Sequence, residues 1–206
     1  MNLLLAALLG VSALAGETNA PAVSKDATAK ELVESCRTMI PRNVELSGRI
    51  ILRSRKGIAI AEYNYRLYRR NGQTDLKLTK DDGSAVEFKR EGRILETDVT
   101  WSDLTLDYLW WDEFSFDAER ESESETVHGQ VCAVVVMKKG DRTVRVWVDR
   151  KTGAMLQAEE FCGEKTIRRL WGTRVKKFGN RWMANVMEVE TVGSGHRTKI
   201  TVEEMK

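Results

Sequence analysis

Residues of the types that carry out catalysis or bind metals are few in this chain of 206 residues, and they form no recognisable motif. Neither of the two histidines, His128 and His196, belongs to an HxxH or HxxxH pair, and the sequence has no CxxC pair, so no zinc-binding cluster is visible. The sequence contains neither the GxSxG pattern of a serine nucleophile nor the nucleotide-binding patterns GxGxxG and GxxxxGKS/T. We therefore predict that the protein is not an enzyme and has no catalytic residue, no metal site and no cofactor.

Two further segments contain charged groups that could bind a ligand. Ala118–Thr126 reads AERESESET, but nothing in its pattern fixes the glutamate oxygens in three dimensions, so a solvated loop is favoured over a metal site. Gly163–Thr166 reads GEKT, like the end of a phosphate-binding loop. It lacks the opening glycine of such a loop and stands between two strand patterns, which is typical of a turn.

The charge distribution argues against a nucleic-acid partner. The chain has 33 lysines and arginines against 31 acidic residues, and its formal net charge is +2. The positive charges fall at alternating positions of strand-like segments and not in blocks, which is typical of a solvated sheet face. We predict no binding of nucleic acid.

The three cysteines, Cys36, Cys132 and Cys162, are predicted to form no disulfide. An odd number leaves at least one free thiol in any case. In an antiparallel arrangement of the surrounding strands, Cys132 and Cys162 would lie about eight positions apart, or roughly 25 Å, which is beyond disulfide reach. Cys36 could meet either of them only through a tertiary contact that the sequence does not indicate.

The stretch Thr143–Glu190 indicates the fold class. Its first valines, Val144, Val146 and Val148, alternate with polar or aromatic residues, which is the pattern of a strand with two different faces. The turn-forming run Asp149–Gly153 then separates this strand from the next alternating segment, and further glycines mark two more turns. This stretch predicts an antiparallel meander of four or more strands.

Strand patterns also fill the chain from residue 43 to residue 95, where short turns separate alternating segments. Asn71-Gly72 is the strongest short hairpin signal. Further strands are predicted around Val86 and Phe88, at Ile94 and Leu95, and at Thr198–Val202. The pattern predicts a mainly β protein built on one large, curved antiparallel sheet.

Two segments have helical character. Ala27–Met39 carries an apolar stripe at helical spacing and is ended by Pro41. Ser102–Trp111 lies in the most aromatic part of the chain, with Ser102 as a plausible N-cap. The first helix is expected to cover the sheet. The second is either a helix packed in the core or a mobile lid.

The N-terminus has the composition of a secretory signal peptide. Leu3–Ala15 is an apolar run that is too short to span a membrane, and small residues permit cleavage after Ala15 or after Ala22. The alternative is a buried N-terminal helix. We predict a signal peptide over residues 1–22, a single domain over residues 23–206, and a location in the periplasm of a Gram-negative cell.

Four segments resemble the bacterial LolA/LolB superfamily of outer-membrane lipoprotein-sorting proteins. They read VRVWVDRKTGAMLQAEEF, IRRLWGTRVKKFGNRWMANVMEVE, RTKITVEEM and WSDLTLDYLWW. The resemblance extends from about Leu32 to Glu204. Ala184 stands where the closer branch often has proline, and Cys162 where aspartate is common in the turn; both changes lie at turns or edges.

The resemblance implies a half-open antiparallel β-barrel with helices covering its concave side. It also implies a periplasmic carrier that holds lipoprotein acyl chains, or another lipid, in a hydrophobic cavity. Partners would then include lipoproteins or lipids, a donor complex at the inner membrane and an acceptor at the outer membrane, and the protein is expected to be a monomer. The alternative is a periplasmic sensor module that binds proteins on the same fold.

A hollow sheet covered by the aromatic segment predicts which side chains contact the lipid. From the helical segment, four side chains are expected to face inward. Strand residues from several parts of the sheet are expected below them, although a register slip of one residue would reverse their face. The predicted lipid-binding residues are Leu104, Leu106, Leu109, Trp110, Tyr65, Leu67, Phe88, Val146 and Met155. The rival interpretation makes these residues an ordinary core.

Overall fold

The computed structural model describes residues 27–117, 125–179 and 181–206, and for residues 181 and 182 it describes the backbone only. The predicted signal peptide, with its cleavage sites after Ala15 and Ala22, lies outside the described residues. Most of the acidic segment Ala118–Thr126 lies outside them as well, and its last two residues belong to a strand.

Within the described residues, twelve strands form one antiparallel sheet. In chain order they are β1 (Val44–Ser54), β2 (Ala59–Arg70), β3 (Gln73–Thr79), β4 (Ala85–Val86), β5 (Glu113–Phe116), β6 (Glu125–Val127), β7 (Gln130–Lys139), β8 (Arg142–Asp149), β9 (Met155–Cys162), β10 (Lys165–Phe178), β11 (Arg181–Thr191) and β12 (His196–Met205). The helices are α1 (Ala29–Met39), α2 (Trp101–Thr105) and a 3₁₀ turn (Asp107–Trp110).

The strand order is β4-β3-β2-β1-β12-β11-β10-β9-β8-β7-β5, with β6 paired to β7. Pairing between β1 and β12 joins the first meander to the last, and the sheet stays open because β4 and β5 lie at its two ends. The predicted mainly β, half-open architecture is confirmed. The hairpin predicted at Asn71-Gly72 is confirmed too, since both residues have positive φ (50° and 82°) and join β2 to β3.

One close approach of two strands requires glycine. Gly48 on β1 faces a register shift in β12, where Ser47 pairs with Glu204 but Gly48 pairs with Val202. A Cβ at Gly48 would lie 1.9 Å from the backbone oxygen of Thr201. This bulge changes the local twist where the two meanders meet.

We call the face of the sheet that carries the helices the inner face. The main core lies on this face, with Ile50, Leu76 and Val146 among its buried residues. A smaller cluster includes Trp147 and Leu156, which neighbour Val146 and Met155 along their strands and therefore point to the opposite face.

Helix α1 forms where the sequence predicts it, and its start is fixed by Thr28. The Thr28 hydroxyl accepts a hydrogen bond from the Glu31 N–H (3.3 Å), and the Glu31 carboxylate accepts one from the Thr28 N–H (2.7 Å). This capping box satisfies N–H groups that the helix leaves free. The buried stripe includes Leu32, Val33 and Cys36, which attach α1 to the inner face.

The strands predicted at Phe88 and at Ile94–Leu95 are absent from the structure. Strand β4 ends at Val86, and Leu95 has a positive φ of 55°. The physical reason is that this part of the chain leaves the sheet edge and buries its residues on the inner face. Its backbone is satisfied locally: the Ile94 N–H donates to the Val99 carbonyl at 2.7 Å.

The helix predicted over Ser102–Trp111 is two short pieces. Helix α2 starts after Thr100, not at Ser102, and Asp103 accepts hydrogen bonds from the N–H (2.6 Å) and hydroxyl (2.9 Å) of Thr100. Leu106 then adopts a left-handed conformation (φ 55°), which ends α2 before the 3₁₀ turn begins. The break reorients the residues after it, so the helical spacing used in the prediction does not hold beyond Thr105.

Candidate functional site: an apolar cavity on the inner face

The wall of the candidate site is the crossing segment, which we define as residues 93–111. Strands β4 and β5 lie at opposite ends of the strand order, and the chain between them crosses the inner face, where Ile94, Val99 and Leu109 belong to the main core. Two carbonyl groups at the ends of its short helical pieces receive arginine donors. Arg69 of β2 donates to the Thr105 carbonyl (2.8 Å), and Arg37 of α1 donates to the Leu109 carbonyl (2.6 Å). Cationic donors suit these carbonyls because the C-terminal end of a helix is electronegative.

A buried aspartate holds the crossing segment to β11 and β12. The Asp98 carboxylate is fully buried, accepts hydrogen bonds from the Thr191 N–H (3.1 Å) and the Thr198 hydroxyl (3.1 Å), and lies 3.0 Å from Nδ1 of His196. The Thr198 hydroxyl also accepts from the Asp98 N–H at 2.8 Å. These bonds satisfy a charge that would otherwise be costly to bury.

An arginine of β10 holds the next part of the crossing segment. Arg168 donates to the Asp98 carbonyl (3.0 Å) and the Thr100 hydroxyl (3.1 Å), and it pairs with the carboxylates of Asp103 and Glu160. Burial alone would lower the pKa of Arg168, but the two carboxylates raise it above its ordinary value. A smaller pocket borders this cluster, with an empty volume of about 270 Å³ including its open mouth and with Ser102, Arg142 and Glu160 in its wall.

A larger cavity opens between the crossing segment, the end of α1 and the strands β1, β2, β11 and β12. Its empty volume is about 810 Å³, including its open mouth. Nearly all the side chains around it are apolar, and four are methionines. The lining residues are Met39, Ile40, Pro41, Val44, Leu46, Tyr65, Leu67, Arg69, Asp103, Leu104, Leu106, Met183, Met187, Ile200 and Met205.

Methionine makes this cavity adaptable. Met183, Met187 and Met205 come from the two strands that follow the last turns, and Met39 comes from the end of α1. Each is only partly buried. Because methionine is unbranched and polarizable, such a lining can fit apolar groups of different shape.

Two side chains bring polar atoms into the cavity from β2. Tyr65 and Arg69 share the inner face with Leu67, since residues at every second strand position point the same way. Burial raises the pKa of the Tyr65 phenol and lowers the pKa of the Arg69 guanidinium. The carboxylate of Asp103, which also borders the cavity, is paired with Arg168.

The structure brings four of the nine predicted lipid-binding residues together at the cavity: Tyr65, Leu67, Leu104 and Leu106. Their contact with a lipid stays a prediction. Leu109 and Val146 are buried in the main core and do not line the cavity. Met155 is fully buried there as well, and its sulfur lies 3.5 Å from the Tyr108 hydroxyl.

The remaining two predicted residues lie away from the cavity. Phe88 stacks on Trp101 with ring centroids 6.2 Å apart. Trp110 is 48% exposed, so the prediction that it faces inward is wrong. The break at Leu106 is the physical reason, because it rotates the 3₁₀ turn relative to α2.

Sequence reasoning missed Arg69 and the methionines. A signal for the methionines was present, since Met183 and Met187 stand at even spacing in a strand pattern and therefore share a face. Arg69 was harder to recognise because it is followed by Arg70, and a slip of one residue exchanges their faces.

Two classes of feature are absent from the part of the chain that the structure describes. No three histidine, cysteine or acidic residues come close enough there to hold a metal ion. The helices seen in the same part are all too short or too polar to cross a membrane.

A known protein family matches more than half of this chain. The sequence profile of a family described as uncharacterized proteins matches residues 85–206, which is more than half of the chain. The chain belongs to this family. A search among curated proteins found no match.

Solved structures identify the fold of this family member. A LolA superfamily protein from Nitrosomonas europaea is similar with a TM-score of 0.64 and 14% identity, covering 87% of this chain and 93% of its own. A putative outer-membrane lipoprotein-sorting protein domain from Vibrio parahaemolyticus has a TM-score of 0.62 and 11% identity, with coverages of 87% and 91%. A DUF1329 family protein from Desulfovibrio piger has a TM-score of 0.62 and 14% identity, with coverages of 86% and 91%. The family member therefore has the LolA-like fold.

Proposed function

We propose that the protein binds an acyl chain, of a lipoprotein or of another lipid, in the apolar cavity and carries it through the periplasm. The observation that carries this proposal is the cavity itself: it is open to solvent and lined almost entirely by apolar side chains. Such a lining offers an acyl chain an environment without water and makes few demands on its exact shape.

The energetics of burial favour this ligand class. Each methylene group removed from water contributes about 0.8 kcal/mol, so about ten buried methylenes contribute roughly 8 kcal/mol before the entropic costs of binding. No catalytic group is needed for this function, and we propose a binding protein and not an enzyme. Apolar side chains of β1, β2, β11, β12 and the crossing segment would supply the contacts.

The fold supports the cellular part of the proposal. One structural neighbour is named for the sorting of outer-membrane lipoproteins. By analogy, the protein would receive its cargo from a donor at the inner membrane, deliver it to an acceptor at the outer membrane, and act as a monomer. Because one fold can host several functions, the experiments below test the cavity directly.

A pair of tryptophan substitutions tests whether the cavity binds acyl chains. Leu104→Trp adds bulk to a half-buried residue of the cavity wall, whereas Ile58→Trp adds the same ring at a residue that is 65% exposed. We expect Leu104→Trp to weaken binding of a fluorescent fatty acid at least tenfold, or about 1.4 kcal/mol, with little change in melting temperature. Ile58→Trp should bind like the natural protein.

Equal binding by both variants and the natural protein would contradict the proposal. Native mass spectrometry of the protein purified from its own cells gives a second test. A co-purifying lipid agrees with the carrier function. A mass with a captured peptide and no lipid would instead favour the alternative, a sensor module that binds proteins.

A further inference from the structure

Arg69 is a buried cation at the cavity whose charge has no acidic partner. Its side chain lies in the cavity wall and is only 9% exposed. It gives one hydrogen bond to the uncharged carbonyl of Thr105. Among residues 27–117, 125–179 and 181–206, no carboxylate forms an ion pair with it.

Other buried charged side chains on the inner face, unlike Arg69, lie against an ionisable partner. Arg168 is held by the carboxylates of Asp103 and Glu160, and the Asp98 carboxylate lies against His196. A guanidinium carries five N–H donors in a fixed fork, so Arg69 has donors left after its bond to Thr105. Because burying an unpaired charge is unfavourable, its presence in the wall requires compensation. Burial accordingly lowers the pKa of Arg69.

The position of Arg69 suits the head of an elongated ligand. Arg69 pairs with Val44 at one end of the β1–β2 ladder, and Tyr65 lies four residues further in, about 13 Å away. Val44 is partly exposed, whereas Tyr65 and Ile200 are buried. Arg69 therefore lies at the more exposed end of this ladder, and the apolar side chain of Leu67 and the ring of Tyr65 follow it along the inner face of β2.

We infer that the natural ligand is an anionic amphiphile, whose carboxylate or phosphate head binds the free N–H groups of Arg69 while its acyl chain fills the cavity. This inference rests on the proposed function and specifies its ligand class. Arginine binds both kinds of head group through paired hydrogen bonds. An acyl group attached only through neutral ester or amide links would leave the charge of Arg69 without a partner.

Three ligands with the same chain test the inference: dodecanoate, dodecyl phosphate and dodecanol, each measured by displacement of a neutral fluorescent probe from the purified protein. We expect at least one anion to bind at least tenfold more tightly than dodecanol. The carboxylate and the phosphate then show which head group is preferred. In Arg69→Gln this preference should fall below threefold while dodecanol still binds, and in Arg69→Lys part of it should remain.

Arg37→Gln is the matched control. It removes another arginine that tethers the crossing segment, at the Leu109 carbonyl, but Arg37 does not line the cavity. Arg37→Gln should keep the full preference for anions, and this separates the charge effect from loosening of the crossing segment. Melting temperatures show that each variant is folded.

The outcomes distinguish the inference from the function on which it rests. Equal binding of anions and dodecanol by the natural protein would overturn the inference and leave the acyl-chain function intact. A preference that survives in Arg69→Gln, or that disappears equally in Arg37→Gln, would also overturn it. Failure of all three ligands to bind would overturn the proposed function itself.

Discussion

Removing Arg168 tests the view that the crossing segment is held to the sheet by buried ion pairs. Arg168→Met keeps an unbranched apolar chain but deletes the guanidinium that contacts Asp103, Glu160 and the Asp98 carbonyl. Glu160 retains a second partner in Arg142 (3.2 Å), whereas Asp103 is buried and, among the residues that the structure describes, keeps only its bonds to Thr100. Breaking a buried pair by removing one partner costs about 3–5 kcal/mol, and we expect a loss of that size at pH 7.

The stability of Arg168→Met is expected to depend on pH through the protonation of Asp103. Burial raises the pKa of Asp103, and the charge of Arg168 opposes this increase. Without Arg168 the folded-state pKa rises further, so the folded protein binds more protons than the unfolded protein. Stability then decreases as the pH rises through that pKa. Arg168→Met should therefore recover part of its loss between pH 7 and pH 5, relative to the natural protein.

Urea unfolding followed by tryptophan fluorescence measures both effects, because Trp101 and Trp111 belong to the crossing segment. The double variant Arg168→Met, Asp103→Asn removes the unpaired charge and keeps an oxygen acceptor for Thr100. It should be more stable at pH 7 than Arg168→Met alone. A loss below about 1 kcal/mol in Arg168→Met, as for an exposed pair, or no rescue by Asp103→Asn would refute the reasoning.

Three further predictions concern packing and accessibility. Gly48→Ala should cost about 3 kcal/mol or more in urea unfolding, because the new Cβ would meet the Thr201 backbone, which cannot move aside like a side chain; a loss below 1 kcal/mol would contradict the bulge geometry. Leu109→Glu should unfold the protein, as judged by circular dichroism, since Leu109 is fully buried in the core, whereas Leu104→Glu should stay folded and lose fatty-acid binding; a folded Leu109→Glu protein would place that residue in the cavity. Under native, unreduced conditions only the exposed Cys162 thiol should react with a thiol reagent, and all three should react after unfolding; a single reactive thiol after unfolding would indicate a disulfide.

The sheet could be predicted from the sequence because its signals are local. Val144, Val146 and Val148 all face the core, as their period of two requires. Asn71-Gly72 fixes its hairpin through backbone conformations that few other residue pairs adopt. Helix α1 shows its apolar stripe and its stop at Pro41 within a single short window.

The crossing segment could not be predicted because distant residues determine it. Ile94 and Val99 look like strand residues, but they are buried by packing against the inner face, and Asp98 is satisfied by residues about a hundred positions away. The left-handed Leu106 has no local signal, since leucine rarely adopts that conformation. The identity of the cavity residues depends on this segment and on strand register, so only part of the lining could be named.

The central claim, that an acyl chain occupies the apolar cavity, is tested most directly by photo-crosslinking. Dodecanol with a diazirine at the far end of its chain is neutral, so the result does not depend on the role of Arg69. After irradiation and proteolysis, we expect adducts on peptides that contain Leu104, Met187 or Ile200, and unlabelled dodecanol should suppress them. Adducts confined to outward-facing residues such as Ile58 and Ile60, or adducts that dodecanol does not suppress, would contradict the account.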